Sequence, residues 1–337
     1  MKKTLIALAV LGALPVFAQA QTSVQLTGSV DVAVESLNKD ANDGQSDLQV
    51  NDGIWGGSRF GIKGSEELGN GLKGIFALEY RGNADDGTIR EQNVFWRGES
   101  WVGLDGGFGT LRLGRQDGPL ELALDDTGDM TGGDWYYHGG SLVDARGTIN
   151  NSVAYDSPTF GGVQLYAMYA AGEATAPAGN DDLNKLGDFY GIGARGEWGG
   201  FTVGLGYQVT DGADIDNIKN TNELGASIGT KLGGFGVGVT YVQVEQKNVT
   251  GPNVKNKGAA ASLSYEFSDA NTAYLSYRRE DPQGDDDVED GVGLTFVHGL
   301  SKRTFVYAAA GIGKEQQGPN TEDLKPRRFA LGVRHFF

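Results

Sequence analysis

The sequence predicts an all-β protein, a transmembrane antiparallel β-barrel of sixteen strands with short turns at one end and long loops at the other. Three observations predict it. Apolar residues alternate with polar residues or Gly, at a period of two, from residue 23 to the C-terminus. The connections alternate between tight turns and long acidic loops. An export signal precedes a chain with no further run near the ~18 apolar residues of a membrane helix.

Residues 1–20 have the form of a signal peptide. Lys2 and Lys3 precede an apolar run from Leu5 to Ala18, and Ala18-Gln19-Ala20 supplies a small-x-small cleavage site. Residues 21–337 then form one domain, since no Pro-rich stretch or change of composition divides them. Removing Lys2 and Lys3 lowers 28 basic residues to 26 against 44 acidic ones, a net charge of −18. That balance argues against nucleic acid as a partner. There is no Cys, so disulfides and thiolate metal sites are excluded. Gly accounts for 55 of 337 residues, more than twice the usual ~7%, without collagen's triplet period.

The first strand is "SVQLTGSVDVAVES", residues 23–36. Val24, Leu26, Val30, Val32 and Val34 share its apolar face, and Gln25, Thr27, Ser29, Asp31 and Glu35 the other. Leu72, Phe76, Leu78 and Tyr80 repeat the pattern against Lys73, Glu79 and Arg81. So do Phe201, Val203, Leu205, Tyr207 and Val209, then Leu263, Tyr265 and Phe267, then Phe329, Leu331 and Val333. Between strands lie seven tight connections, "EELGNG", "DGGFG", "SPTFGG", "WGGF", "LGGFG", "SDAN" and "GLSKR", interleaved with eight long ones. That order makes a sixteen-strand meander with both ends on the short-turn side.

A soluble sandwich would bury the apolar faces between two sheets. A membrane barrel turns them outward to lipid and the polar faces toward a wet lumen. Closure is then obligatory, because an unpaired backbone edge finds no water in hydrocarbon. Sixteen strands of ~9–11 spanning residues fit the chain and leave an aqueous channel. Tyr80, Trp101, Tyr155, Trp198, Tyr241, Tyr265 and Phe337 near strand ends are candidates for the interfacial aromatic girdles.

The blocks "SRFGIKGSEELGNGLKGIFALE" (58–79), "WVGLDGGFGTLRLGRQ" (101–116), "NSVAYDSPTFGG" (151–162), "LSKRT" (300–304) and the terminal "GVRHFF" resemble the Gram-negative general porins, in particular their beta-proteobacterial branch. The resemblance covers the whole mature chain in order. It implies a homotrimer of sixteen-stranded barrels in the outer membrane, in contact with lipid and lipopolysaccharide, passing ions and small hydrophilic solutes by diffusion without a cofactor. It also implies that a third extracellular loop folds into the pore. Here that loop is the longest, 116–149, and carries Asp117, Glu121, Asp125, Asp126, Asp129, Asp134 and Asp144.

In the family this acidic loop opposes a basic wall. Arg59 stands at a family wall arginine, and alternation places Arg59 and Lys63 on the lumen side opposite Phe60 and Ile62. Arg146 corresponds to the arginine upstream of the "NSV" block. Another wall arginine falls at Gly98, with Arg97 one residue earlier; an offset of one reverses the face of a strand, so Arg97 reaches the lumen only through a bulge or the opposite parity. Some relatives carry a lumen lysine on the first strand where this chain has Ser29, followed by Asp31. Phe337 resembles the terminal aromatic read by the barrel-insertion machinery.

Other motifs compete with this reading. "GIGARG" (191–196) fits a dinucleotide fingerprint, but its glycines alternate inside a strand. "GASIG" (225–229) fits a hydrolase nucleophile elbow, "HGGS" at His138 resembles an oxyanion motif and His298 follows in the order of a triad, but no helix follows Ser227. "DDDVED" (285–290) has the oxygen-rich composition of a calcium loop and also of a solvated acidic loop. A substrate-specific outer-membrane channel is the alternative within barrels; an exported adhesin or a barrel enzyme lies outside them.

Overall fold

The computed structural model describes residues 22–41, 44, 46–90, 94–125, 127–133, 135–138, 142, 147–172, 187–212, 217–281, 288–316 and 322–337. The signal segment 1–20 lies outside them. So do Asp285, Asp286 and Asp287 of the acidic motif.

Strand β1 (Ser23–Leu37) is followed by β2 (Asp47–Asp52), β3 (Ser58–Gly69), β4 (Leu72–Gly82), β5 (Ser100–Gly106) and β6 (Gly109–Asp117). A short helix α1 (Pro119–Leu124) comes next, then β7 (Thr148–Asp156), β8 (Val163–Ala170), β9 (Phe189–Trp198) and β10 (Phe201–Asp211). The chain finishes with β11 (Ile218–Leu232), β12 (Phe235–Asn248), β13 (Val254–Ser268), β14 (Asn271–Asp281), β15 (Glu289–Gly299), β16 (Thr304–Glu315) and β17 (Arg327–Phe336). From β3 onward each strand pairs antiparallel with the next, and β17 returns to β1. The terminal residue completes the seam: Phe337 N–H donates to the Gly28 carbonyl at 3.0 Å, and Gly28 N–H to the Phe337 carbonyl at 3.3 Å.

Seventeen strands make sixteen staves because β2 and β3 together form the second stave. Ser29 pairs with Arg59 and Val32 with Asp52, so three steps along β1 correspond to seven along its neighbour. Four extra residues therefore leave the sheet between Asp52 and Ser58, and they carry Trp55 into the lumen.

Outside, the apolar belt is as the alternation predicts, with Leu26, Val30, Leu205, Leu263 and Leu331 exposed. At the short-turn end, Phe108, Phe160, Trp198, Phe201, Phe235, Tyr265 and Phe267 form an exposed aromatic rim. Trp101 does not join a girdle. Its neighbours Val102 and Leu104 face outward, and Arg112 stacks over the Trp101 ring at 5.4 Å, so Trp101 turns into the lumen.

The lumen face of β1 departs from expectation more sharply. Asp31 is 0% exposed and Glu35 5%. Neither stands free in the channel, as alternation alone would place it. Asp31 accepts hydrogen bonds from Tyr307 Oη at 2.8 Å and Trp55 N–H at 3.0 Å, while Glu35 accepts from Tyr136 Oη and from Asn51 Nδ2 at 2.5 Å. Burying carboxylates is costly without such partners, and here segments distant in sequence supply them.

Candidate functional site

The third long connection leaves β6 at Asp117 and re-enters the wall at Thr148. Gly118 N–H closes its base on the Gly147 carbonyl at 2.9 Å. Pro119, at the first turn of α1, suits a helix start because its missing N–H would have no partner there. Leu120 and Ala123 are buried against the inner wall.

The wall makes room for this loop with glycines. A Cβ on Gly193 would lie 2.3 Å from the Pro119 carbonyl oxygen, one on Gly204 2.0 Å from that of Ala123, and one on Gly229 2.0 Å from that of Thr127. Further round, a Cβ on Gly238 would lie 2.2 Å from the Gly128 oxygen and one on Gly293 2.0 Å from that of Tyr136. Serines between them bind the loop backbone. Ser262 Oγ accepts from Met130 N–H at 2.7 Å and donates to the Gly128 carbonyl at 3.1 Å, and Ser276 Oγ donates to the Tyr136 carbonyl at 2.8 Å. The loop thus lies along the inside of the barrel from β9 to β16.

Its tip ends in an aromatic cluster. Trp55 stacks on Trp135 at 5.1 Å and 27°, and Trp135 meets Tyr307 edge-on at 5.2 Å. Trp55 Nε1 donates to the Gly132 carbonyl at 3.0 Å, while Arg334 Nη1 donates to the Trp55 carbonyl at 2.9 Å. One inserted residue therefore joins β1 and β17, through its main chain, to the loop tip, through its ring. Trp55→Ala is expected to cost about 3 kcal/mol, the low end for truncating a buried Trp because this ring is only partly buried. Trp55→Phe, which keeps an aromatic ring, should recover much of that loss. Urea unfolding of the refolded variants reads both.

What the loop leaves open is a cavity of about 720 Å³. Arg59, Arg81, Arg90, Arg97 and Arg334 line it, together with Glu79, Asp117, Glu121, Asp125, Asp129 and His138. Several of these charges are already neutralised: Arg81 Nε bonds Glu79 at 2.7 Å, and Arg90 Nη2 bonds Asp52 at 2.5 Å. Arg59 differs. Its Nη2 donates to the Gly56 carbonyl at 2.7 Å, and among the described residues its Nε has no hydrogen-bond partner and no carboxylate pairs with it. On the loop, Asp129 Oδ2 lies 3.3 Å from His138 Nδ1. Burial raises the pKa of the Asp129 carboxylate, but hydrogen bonds from His138 and Thr131 and the charge on His138 outweigh this and hold it below the ordinary value.

The cavity brings together Arg59 and Arg97 with Asp117, Glu121, Asp125 and Asp129. Arg97 precedes β5 and belongs to no strand, so strand parity does not govern it; its carbonyl accepts from Arg115 Nε at 3.0 Å. Lys63 is not part of the cavity lining. It lies four residues from Arg59 along β3 toward the short-turn end, roughly 13 Å at the rise of a strand, and is exposed. Asp126, Asp134, Asp144 and Arg146 lie outside the described residues. Arg90 and Trp55 were missed because both sit in connections, where alternation carries no information. The triad residues do not assemble: Ser227 Oγ is buried with no hydrogen-bond partner among the described residues, and His298 lies on the outer face with Nδ1 2.8 Å from Asn271.

A closed barrel with an apolar outside, a narrowed interior and charge of both signs around a central cavity is a transmembrane pore. The family model described as Gram-negative porin matches residues 7–316. The chain is 32% identical to the major outer membrane protein P.IB of Neisseria meningitidis and 33% identical to outer membrane porin protein 32 of Delftia acidovorans, each over 100% of both chains. Among solved structures it is similar to an anion-selective porin from Comamonas acidovorans, with a TM-score of 0.78 and 26% identity, covering 94% of this chain and 100% of that one. The chain belongs to the Gram-negative porin family. It is a diffusion channel of the outer membrane.

Proposed function

We propose that the 720 Å³ cavity is the constriction of this channel, that the loop 116–149 narrows it, and that Arg59 gives it a modest preference for anions. The observation that carries this reading is the state of Arg59, a guanidinium on the cavity wall with no carboxylate partner among the described residues. The acidic loop opposes it through Glu121, Asp125 and Asp129, so charge of opposite sign faces across the opening. The anion selectivity in the name of the Comamonas relative agrees in sign.

Net charge does not decide selectivity. With a screening length of ~8 Å at physiological salt, charge on the outer loops hardly reaches an ion at the constriction. The remaining assignments follow the family: residues 1–20 removed on export, Phe337 recognised during insertion, assembly as a homotrimer among lipopolysaccharide, and transport without catalysis or cofactor.

Zero-current potentials across planar bilayers in a KCl gradient test the filter. A unit charge about 6 Å from the ion path, at the dielectric of water, is worth about 0.7 kcal/mol to each ion with opposite sign for chloride and potassium, or roughly tenfold in their permeability ratio. Arg59→Ser should shift the ratio toward potassium by that order. An unchanged potential in a channel of normal conductance would remove Arg59 from the filter.

A further inference from the structure

A second cavity of about 360 Å³ lies between the inserted segment after β2 and the aromatic tip of the third loop. Gly56, Arg90 and His138 line both this cavity and the 720 Å³ one, so they mark the neck where the two meet. The protein has three histidines. His298 and His335 lie on the lipid-side alternation of β15 and β17, and His138 alone lines either of the two cavities.

We propose that His138 is a selectivity-determining residue of the channel and that its protonation makes the pore more permeable to anions. This rests on the reading that ions pass through the 720 Å³ cavity. Imidazole is the side chain whose charge changes between pH 5 and 8. His138 faces Asp129 on its own loop at 3.3 Å. With His138 neutral the pair carries one negative charge at the neck, and with His138 protonated it carries none. Asp129 itself stays ionised over this range, since its carboxyl is held below the ordinary value.

The charged groups on the surrounding elements do not reproduce this change. On the side of the larger cavity they are Arg59, Arg81, Arg90, Arg97 and Arg334 with Glu79, Asp117, Glu121 and Asp125; a contribution from the enclosed Asp117 would survive in His138→Gln and so is told apart from that of His138. On the side of the smaller one they are Glu35, Glu289, Arg278 and Arg328. Arginine holds its proton throughout, and ordinary carboxylates have lost theirs by pH 5.5. Arg90 is further tied to Asp52, Glu35 to Tyr136 and Asn51, and Arg278 to Glu289.

Zero-current potentials in a KCl gradient at pH 8.0 and pH 5.5 test the proposal on the full-length, refolded channel. In the wild type the chloride-to-potassium permeability ratio should rise about tenfold as the pH falls, because one unit charge roughly 6 Å from the ion path shifts the two ions in opposite directions. His138→Gln should lose that rise, and Asp129→Asn should show at pH 8.0 a ratio near that of the wild type at pH 5.5. A pH-independent wild type would overturn the proposal, and so would a rise that survives in His138→Gln. Should His138→Gln fail to insert, Asp129→Asn decides alone, and a wild-type ratio there at pH 8.0 counts against it. These outcomes are separate from failure of the constriction reading, which Arg59→Ser tests at fixed pH.

Discussion

Leu205→Arg is expected to destabilise the barrel by about 2–4 kcal/mol, the cost of a cationic side chain on the lipid face near the bilayer midplane. Leu205 is the fifth of the eleven residues of β10, is 55% exposed, and sits between Ala194 of β9 and Ala226 of β11. Those small neighbours leave nothing polar for the guanidinium to reach, and both membrane interfaces are several residues away. Urea titration of the channel refolded into lipid vesicles measures the loss. Thr27→Arg is the counterpart on the lumen side, where the side chain enters the aqueous cavity, and should change stability by no more than about 0.5 kcal/mol. Leu26 is a weaker probe of the same idea. It is the fourth residue of β1, toward the short-turn rim, where the penalty falls to about 0–1 kcal/mol. Equal destabilisation by Leu205→Arg and Thr27→Arg would refute the inside and outside assigned to the wall.

The wall was legible because each stave repeats one physical rule over many residues. From Phe201 to Val209 every second residue must meet lipid, and the same demand recurs from β1 to β17, so alternation and turn spacing together count the staves. The break between β2 and β3 was not legible. "DLQVND" is short and lies within an acidic connection, and nothing in its composition shows that four residues leave the sheet after it. The enclosure of Asp31 and Glu35 on β1 was hidden for another reason. Asp31 and Glu35 occupy positions that alternation assigns to water, and the groups that cover them come from Trp55, Tyr136 and Tyr307, the last 276 residues away along the chain. Of the site, Arg59 was readable because it stands in a strand of clear parity. Arg97 was not, because parity ends where the strand does.

The path of the third loop was present in the sequence in a form that alternation cannot separate from polarity. Gly193, Gly204, Gly229, Gly238 and Gly293 all fall on lumen faces, where Gly and polar residues are equally admissible beside water. They are glycine because another backbone touches them. Gly204→Ala tests this at one atom. The added Cβ would lie 2.0 Å from the carbonyl oxygen of Ala123, far inside contact distance, and the obstacle is backbone, which cannot rotate aside as a side chain can. Either the wall strains, at the ~1–3 kcal/mol usual for overpacking, or α1 lifts from β10 and withdraws the loop from the lumen. The second course is the easier, because β10 is held by paired neighbours on both sides while the six-residue helix rests on the wall by packing. Single-channel conductance should therefore rise above that of the wild type, since a sixteen-stranded barrel without its inward loop encloses a wide aqueous channel. Gly107→Ala is the control: it lies in the turn between β5 and β6 with open space around the site of its Cβ, and its conductance should match the wild type. A folded Gly204→Ala channel with unchanged conductance would show that the loop holds its place by contacts other than the glycine track.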